Sequence, residues 1–460
     1  MGEEAVLALR DKRVAIVGIS NSNIPLVRFL ARYGIEMTVC DRKTPEELGE
    51  RYNRIARLPV TFRHGPAYLA GLEDFDVVFL SPGIKRNQPE LIAARNAGVR
   101  FSSEMELFFD LCSAPITGIT GSAGKTTTTT LVAEIYRAAG LVTHVGGNIS
   151  HSLVDQALAF APDSRVVLEL SSFQLQPLRK SPTIAAVTNV SPNHLDVHAS
   201  MDEYVSAKKN IFRYQRPGDR LVLNRDDSRT RDMAGEAKGE VLWFSRREPV
   251  ERGAFLRGEE LVLRADREQV ICRVGDVLVP GWHNIENILA AAALAAAAGL
   301  AAEPVRAVAT TFRGVEHRLQ LVRVRDGVRW YNDSIATAPE RTLAALATIQ
   351  GPLVVILGGS DKKADFSELA AAVCERAHTV LLIGATADRI EAAIRAAAAT
   401  RGVMPQLVRC ADYAEVVARA AAAAHPGDAV LLSPACASYD MFENFEQRGK
   451  LFVELVNALP

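Results

Sequence analysis

Three successive stretches of this chain repeat one rhythm: a short run rich in Val, Ile and Leu, a polar turn, then an amphipathic helical pattern. The first stretch holds RVAIVG, MTVCD and DVVFLSPG, with helical segments at about 24–33 and 89–97. The second holds PITGITG, SRVVLELSS, TIAAVTNV and DRLVLN, and the third, after Arg318, holds PLVVILGG, TVLLIG and DAVLLSP. Such alternation makes parallel sheets, because a parallel neighbour is reached only through a long crossover that usually folds as a helix. The expected fold class is therefore α/β, with three domains in series. Between about 240 and 281 the runs AFLRGEELVLRA and VICRVGDVLVPG are shorter and β-like, and they read as a hairpin insertion or a small β side sheet.

A length of 460 residues agrees with several cores rather than one. With 53 basic against 54 acidic residues, the net charge of −1 provides no global pull toward nucleic acid or an anionic membrane. The N-terminus MGEEAVLALRDKR lacks the order of a secretory signal, so the expected location is cytoplasmic. The apolar stretch from Ile288 to Ala302 is shorter than the ~18 residues of a membrane span. Six scattered cysteines form no metal-binding or disulfide pattern and read as reduced core residues.

Glycine and serine follow the first strand, but Ile19, Ser20, Asn21, Ser22 and Asn23 leave out the glycine spacing of a dinucleotide fingerprint. A Rossmann-like shape that holds something other than NAD is expected. The sharper signal is TGITGSAGKTTTTT, where Gly118, Gly121 and Gly124 recur every three residues before Lys125 and Thr126 open a helix. Backbone N–H groups of such a loop surround phosphate oxygens, the lysine adds charge, and the threonine hydroxyl suits Mg²⁺. Ile119 stands where a strict Walker pattern needs glycine.

Only 11 of the 53 basic residues are lysine, so Lys125, Lys208 and Lys362 stand out from an arginine-covered surface. Glu169 ends the strand VVLEL, the place for a magnesium ligand or water-orienting carboxylate beside a phosphate loop. His194 and Asp196 follow the next strand in the turn SPNHLDVH.

Taken together, these motifs make the chain similar to the Mur ligases, ATP-dependent amide-forming enzymes of peptidoglycan precursor synthesis. The variant loop Gly-x-x-Gly-Lys-Thr, GGNIS around Asn148, ELSSFQL, NVSPNHLD, SAKKNIF, HNIEN around Asn284 and Asn287, and EHRLQ around His317 and Arg318 occur in the family's order. Within the family, the closing stretch LLSPACASYDMFENFEQRGKLF, with YNDSIATAP and GGSDKKADF before it, resembles members that add glutamate to an alanyl-muramoyl nucleotide. No Asp-Asn-Pro-Arg motif of the diaminopimelate- or lysine-adding members is present.

The resemblance implies a UDP-binding Rossmann-like domain over 1–103, a central P-loop-type ATP-binding domain over 104–314, and a Rossmann-like glutamate-binding domain over 315–460. It implies that Gly118, Gly121, Ser122, Ala123, Gly124, Lys125, Thr126, Thr127, Asn284, Arg318 and Asp333 meet ATP. Ser20, Asn21, Ser22, Asp41, Arg42, Ser81, Pro82, Gly83 and Asn148 would hold the UDP-linked substrate, and Thr337, Lys362, Ser438 and Phe445 the glutamate. Lys125, Lys208, His194 and Glu169 would be catalytic. Two Mg²⁺ ions would be held by Thr126, Glu169, His194 and Lys208, the lysine as a CO₂-derived carbamate, which requires a depressed Lys208 pKa. Implied partners are UDP-N-acetylmuramoyl-L-alanine, D-glutamate and ATP, without nucleic acid, and the expected state is a monomer.

Ala123 replaces Asn or Asp of many relatives in the phosphate loop, and its backbone donors are expected to remain. Ile335 removes a lysine charge, and Ser20 replaces a common glycine. A folylpolyglutamate synthetase shares the central and C-terminal chemistry but lacks a UDP-binding first domain. A P-loop regulatory ATPase would explain the phosphate loop alone.

Overall fold

The strand Val14–Val17 is buried along its whole length, as expected where helices cover both faces of a parallel sheet. The computed structural model describes residues 2–149, 152–192, 198, 200–360 and 364–460. The strand is central in a five-stranded parallel sheet ordered Thr61–His64, Met37–Asp41, Val14–Val17, Val77–Leu80 and Arg100–Ser102. The following helix, Asn23–Arg32, buries Ile24, Leu26, Val27, Phe29 and Leu30. Each fully buried aliphatic side chain of this kind contributes roughly 1.5–3 kcal/mol of transfer free energy.

A nine-stranded sheet forms the second layer. Ile116–Thr120 lies between Ile184–Val187 and Arg165–Glu169 in parallel register, which sets Ile119 beside Glu169 and Thr120 beside Val187. The loops that carry polar motifs therefore leave neighbouring strands at the same, carboxyl end. Beyond Arg220–Asn224 and Glu240–Ser245, the strands Gly253–Arg257, Glu260–Arg264 and Glu268–Arg273 extend this same sheet. The β-like region read from sequence as a hairpin or side sheet is thus continuous with the central sheet. At the outer strand, the Arg306 guanidinium donates to the carbonyls of Val270 and Ile271, at 2.7 and 2.5 Å.

The third sheet has six strands, with Gln320–Arg325 antiparallel at one edge and Val328–Asn332, Ala429–Leu432, Leu353–Leu357, Ala377–Leu382 and Gln406–Arg409 parallel. The three expected α/β domains are present as these three sheets and their helices. The chain packs as two compact units, one running to Val274 with Ile285–Ala309, the other comprising Gly275–Asn284 and Thr310–Pro460. The first unit holds the first two sheets. Of the six cysteines, Cys40, Cys272, Cys374 and Cys436 are buried. Among the described residues, no helix is long and apolar enough to cross a membrane.

Candidate active site

In the first unit, the phosphate-type loop leaves the strand Ile116–Thr120 at Gly121 and enters the helix Lys125–Ala138 at its N-cap Gly124. Gly124 has φ +80°, a left-handed conformation, and a Cβ there would run into Asn287 Oδ1. A side chain at Gly121 would collide with Thr188 Oγ1. Both glycines are required by close approach. Gly118, expected at ATP, instead lies within the strand, where a Cβ would stand 2.7 Å from Pro182 Cγ. Its missing side chain admits the packing of Pro182 and Leu170.

Asn189 braces the loop. Its backbone carbonyl accepts from Ser122 N–H at 3.0 Å, and its side-chain oxygen accepts from Ala123 N–H at 2.8 Å. Two loop donors that the sequence reading left available for phosphate at Ser122 and Ala123 are therefore engaged within the protein. The donors that a helix always leaves without intrahelical acceptors belong to its first turn, here Lys125, Thr126 and Thr127. Thr128 and Thr129, part of the threonine run, are wholly buried.

Glu169 ends its strand with 2% exposure, and both carboxylate oxygens are held. Thr126 Oγ1 donates to Oε2 at 2.8 Å and Asn148 Nδ2 donates to Oε1 at 2.7 Å. Asn148, expected at the muramoyl substrate, is also fixed by its N–H on the Glu169 carbonyl. The hydroxyl of Thr126 and the carboxylate of Glu169 are hard oxygen donors of the kind Mg²⁺ selects, so the residues present fit that ion. His194 lies outside the described residues.

Lys208 sits on the helix Met201–Arg213, whose start is capped by Ser200 Oγ accepting from Glu203 N–H. Its spacing from Tyr204 and Ile211 puts all three on the buried face. Lys208 is 1% exposed; its Nζ donates to Gly121 O at 2.8 Å and lies 4.6 Å from the Tyr204 ring centre. Burial, with the charge of Lys125 second, lowers the amine from 10.5 to about 7. The depressed pKa expected from sequence is present. Lys125 Nζ folds back onto Gly121 O and Ser122 O, at 2.9 and 3.3 Å. Tyr204, which no motif singled out, also links its hydroxyl to Ser122 Oγ at 3.0 Å.

At the first sheet, Asp41 Oδ2 accepts from Ile19 N–H at 2.6 Å and Oδ1 from Lys43 N–H at 2.9 Å, so this carboxylate orders two loops. Ser20 and Ser22 hydroxyls meet at 3.1 Å, and Arg42 is exposed at the strand end. Asn21 is exposed in the same turn. Gly18, with φ +93°, lets the first turn pass Ser81, which is buried beside Pro82 and Gly83.

In the second unit, Asp333 is buried, with Oδ2 accepting from Ser433 Oγ at 2.8 Å and Oδ1 from Leu319 N–H at 3.2 Å. Burial pushes its carboxyl up to about 7, opposed by these bonds and by the charges of Arg318 and Arg341. Asn284 Nδ2 donates to Pro280 O. The turn before the strand Gln320–Arg325, which sends Leu319 N–H to Asp333, is strained, with left-handed backbone at His317 and Leu319, φ +63° and +43°. The buried Arg448 guanidinium joins two candidate glutamate loops: Nε donates to Ser334 Oγ at 2.9 Å, Nη2 to Ser334 O at 2.7 Å, and Nη1 to Cys436 O at 3.1 Å. Those loops carry Thr337 and the buried Ser438, and Phe445 opens the helix that carries Arg448. Ile335 O accepts from Arg341, which puts a guanidinium near the position where the lysine is missing. Lys362 lies outside the described residues.

Comparison with known proteins matches three family profiles to this chain: "Mur ligase MurD-like, N-terminal domain" at residues 12–103, "Mur ligase middle domain" at 119–295, and "Mur ligase, glutamate ligase domain" at 317–436. The chain is 52% identical to the UDP-N-acetylmuramoylalanine–D-glutamate ligase of Symbiobacterium thermophilum over 98% of each chain. It is 45% identical to the enzyme of the same name from Acetivibrio thermocellus, over 98% of this chain and 97% of that one. A solved UDP-N-acetylmuramate–alanine ligase from Thermotoga maritima shares its fold, with a TM-score of 0.56 at 19% identity, covering 97% of this chain and 99% of that one.

Proposed function

The chain belongs to the Mur ligase family, and from that membership we propose that it joins D-glutamate to UDP-N-acetylmuramoyl-L-alanine in peptidoglycan precursor synthesis, converting ATP to ADP and phosphate. A carboxylate is too electron-rich for an amine to attack. The alanyl carboxylate therefore takes the γ-phosphoryl group to become an acyl phosphate; the glutamate amine attacks its carbonyl, and the tetrahedral adduct expels phosphate to leave the amide. Both halves concentrate negative charge, so the chain has to supply fixed cations and donors more than a covalent nucleophile.

The observation that carries this reading is the Thr126–Glu169–Asn148 chain of hydrogen bonds beside a loop on which Lys125 and Lys208 both donate to Gly121 O. Lys125 and the first-turn N–H groups would bind the phosphates of ATP, and Asn148 would orient Glu169 while meeting the substrate. Thr126, Glu169, His194 and carbamylated Lys208 would hold Mg²⁺, which neutralises phosphate charge when bound. Carbamylation joins the neutral Lys208 amine to CO₂ with loss of a proton, and burial, which favours the neutral amine, supports it. In the second unit, Asn284, Arg318 and Asp333 would meet ATP, while Thr337, Lys362, Ser438 and Phe445 would hold glutamate. The loops at Ser20–Ser22, Asp41–Arg42 and Ser81–Gly83 would hold the uridine diphosphate. The enzyme would act as a monomer in the cytoplasm, in keeping with small, charged, water-soluble substrates.

The direct test is release of inorganic phosphate with ATP, Mg²⁺ and UDP-N-acetylmuramoyl-L-alanine, with D- and L-glutamate offered separately. Phosphate release coupled to a product longer by one glutamate, with the D-enantiomer alone, is the expected result. Release with neither enantiomer overturns the reading.

A further inference from the structure

The loop between the strand Val77–Leu80 and the helix Pro89–Asn96 borders a cavity of about 440 Å³ in the first unit. Its lining includes three cations, Lys85, Arg86 and Arg95, together with Phe173 and His198, whose rings stack 5.0 Å apart at 6°. Among the described residues, the single acid of that lining is Glu203, which accepts from Gln176 Nε2 at 2.8 Å. Neither Lys85, Arg86 nor Arg95 forms an ion pair among the described residues; Arg95 rests 5.5 Å from the Phe101 ring centre.

Burial and the charges of Arg95 and Arg179 lower the Arg86 guanidinium to about 10, so it remains cationic at neutral pH while crowded by its own kind. The acid opposing this is Glu106, itself engaged by Ser102 Oγ at 3.2 Å. A cavity wall of like charges without committed counter-ions is at positive potential, and an anion entering it gains attraction and relieves repulsion. Two or three cations suit a polyanion, and a guanidinium fork suits phosphate oxygens in particular. The same lining begins at Pro82 and Gly83, next to the loop assigned above to the uridine nucleotide.

We propose that Arg86, flanked by Lys85 and Arg95, is a specificity-determining contact for the diphosphate of the sugar nucleotide. None of the three stands in a motif used above, and the assignment rests on the substrate class given under Proposed function. The stacked pair Phe173–His198 lines the same cavity, and its ring surface beside the cations lowers the local dielectric, which strengthens a charged contact.

Calorimetric titration of the full chain with uridine diphosphate tests this, with ATP titrated in parallel as the check on folding. Arg86→Met is expected to weaken uridine diphosphate about 10-fold or more and Lys85→Met less, with ATP affinity within about twofold of the parent. The salt dependence of binding should also flatten in Arg86→Met, since one phosphate-facing cation is gone. Arg86→Lys, which keeps charge and length, carries the test should Arg86→Met lose ATP as well, and is expected to fall between the parent and a charge-free site. Uridine diphosphate affinity within about twofold of the parent in the folded variants overturns the proposal. Arg86-dependent binding of uridine diphosphate by a protein that never releases phosphate would instead overturn the ligase reading and leave this contact standing.

Discussion

Lys125 and Lys208 share one acceptor: their ammonium groups donate to the carbonyl of Gly121 from 2.9 and 2.8 Å. Two cations on one carbonyl repel each other, and the buried one, Lys208, is the one whose amine is driven toward neutrality. A nucleophilic amine is thus prepared at neutral pH inside a protein core.

If that amine becomes a carbamate, activity at limiting CO₂ should rise with pH through about 7, as the neutral form grows, and bicarbonate should raise it further. Lys208→Ala should lower kcat by about 10²-fold or more, the scale of losing an electrostatic group at a phosphoryl-transfer centre. Steady-state phosphate release with and without bicarbonate measures both. Full activity of the alanine variant without additions rules the role out.

Glu169→Gln keeps the size of the side chain but removes the charge on which Thr126 and Asn148 converge. The Mg²⁺ concentration needed for half-maximal activity should rise several-fold and kcat should fall about 10²–10³-fold. A Mg²⁺ titration of phosphate release reads both numbers, and an unchanged Mg²⁺ requirement argues against metal contact.

Gly124→Ala should weaken ATP, because alanine at φ +80° is strained by ~1–2 kcal/mol and its methyl meets Asn287. Gly34→Ala, at φ +68° with open space around it, should show the backbone cost alone and leave ATP affinity intact. Paired melting curves and nucleotide titrations separate the two effects.

Glu104 is fully buried and accepts from Ser152 Oγ; burial raises its carboxyl to about 7 from 4.5. Because the folded state holds this proton more tightly than the unfolded chain, stability is lost as pH rises from about 4.5 to 7. Glu104→Gln removes that loss. Its melting temperature should pull ahead of the parent across this interval and keep a constant lead above it, worth on the order of 1–3 kcal/mol. A lead that does not change with pH would show that the carboxyl is not the cause.

Arg448→Lys should destabilise nearly as much as Arg448→Met, on the order of 3 kcal/mol, because one ammonium cannot replace a fork reaching Ser334 and Cys436 together. Denaturant melts measure the loss, and a raised KM for glutamate in whichever variant folds would register the displaced Ser438 loop.

The parallel sheets were legible because short buried strands have no polar face to disguise them, as VAIV at Val14–Val17 shows. The phosphate-type loop was legible because its glycines recur at fixed spacing between a strand and a helix, although what crowds them, Thr188 and Asn287, lies far along the chain. Spacing alone does not say whether Gly118 serves a ligand or makes room for Pro182, against which it packs inside the strand. Asn189 was missed although it follows a strand end, because its hold on Ser122 and Ala123 exists only once Ile184–Val187 lies beside Ile116–Thr120. Arg448 was illegible for the same reason: Ser334, its partner, is 114 residues away in sequence. The run Glu268–Arg273 looked β-like, but no local feature says which sheet edge accepts it.

The pairing of Arg306 with Val270 and Ile271 bears on how this molecule meets its own copies. A terminal strand ordinarily offers main-chain groups on which a foreign segment can zip up and seed aggregates. Here a guanidinium occupies two of those acceptors and lends the rim a positive charge, so the broadest layer of the molecule stops growing where its own sequence ends it.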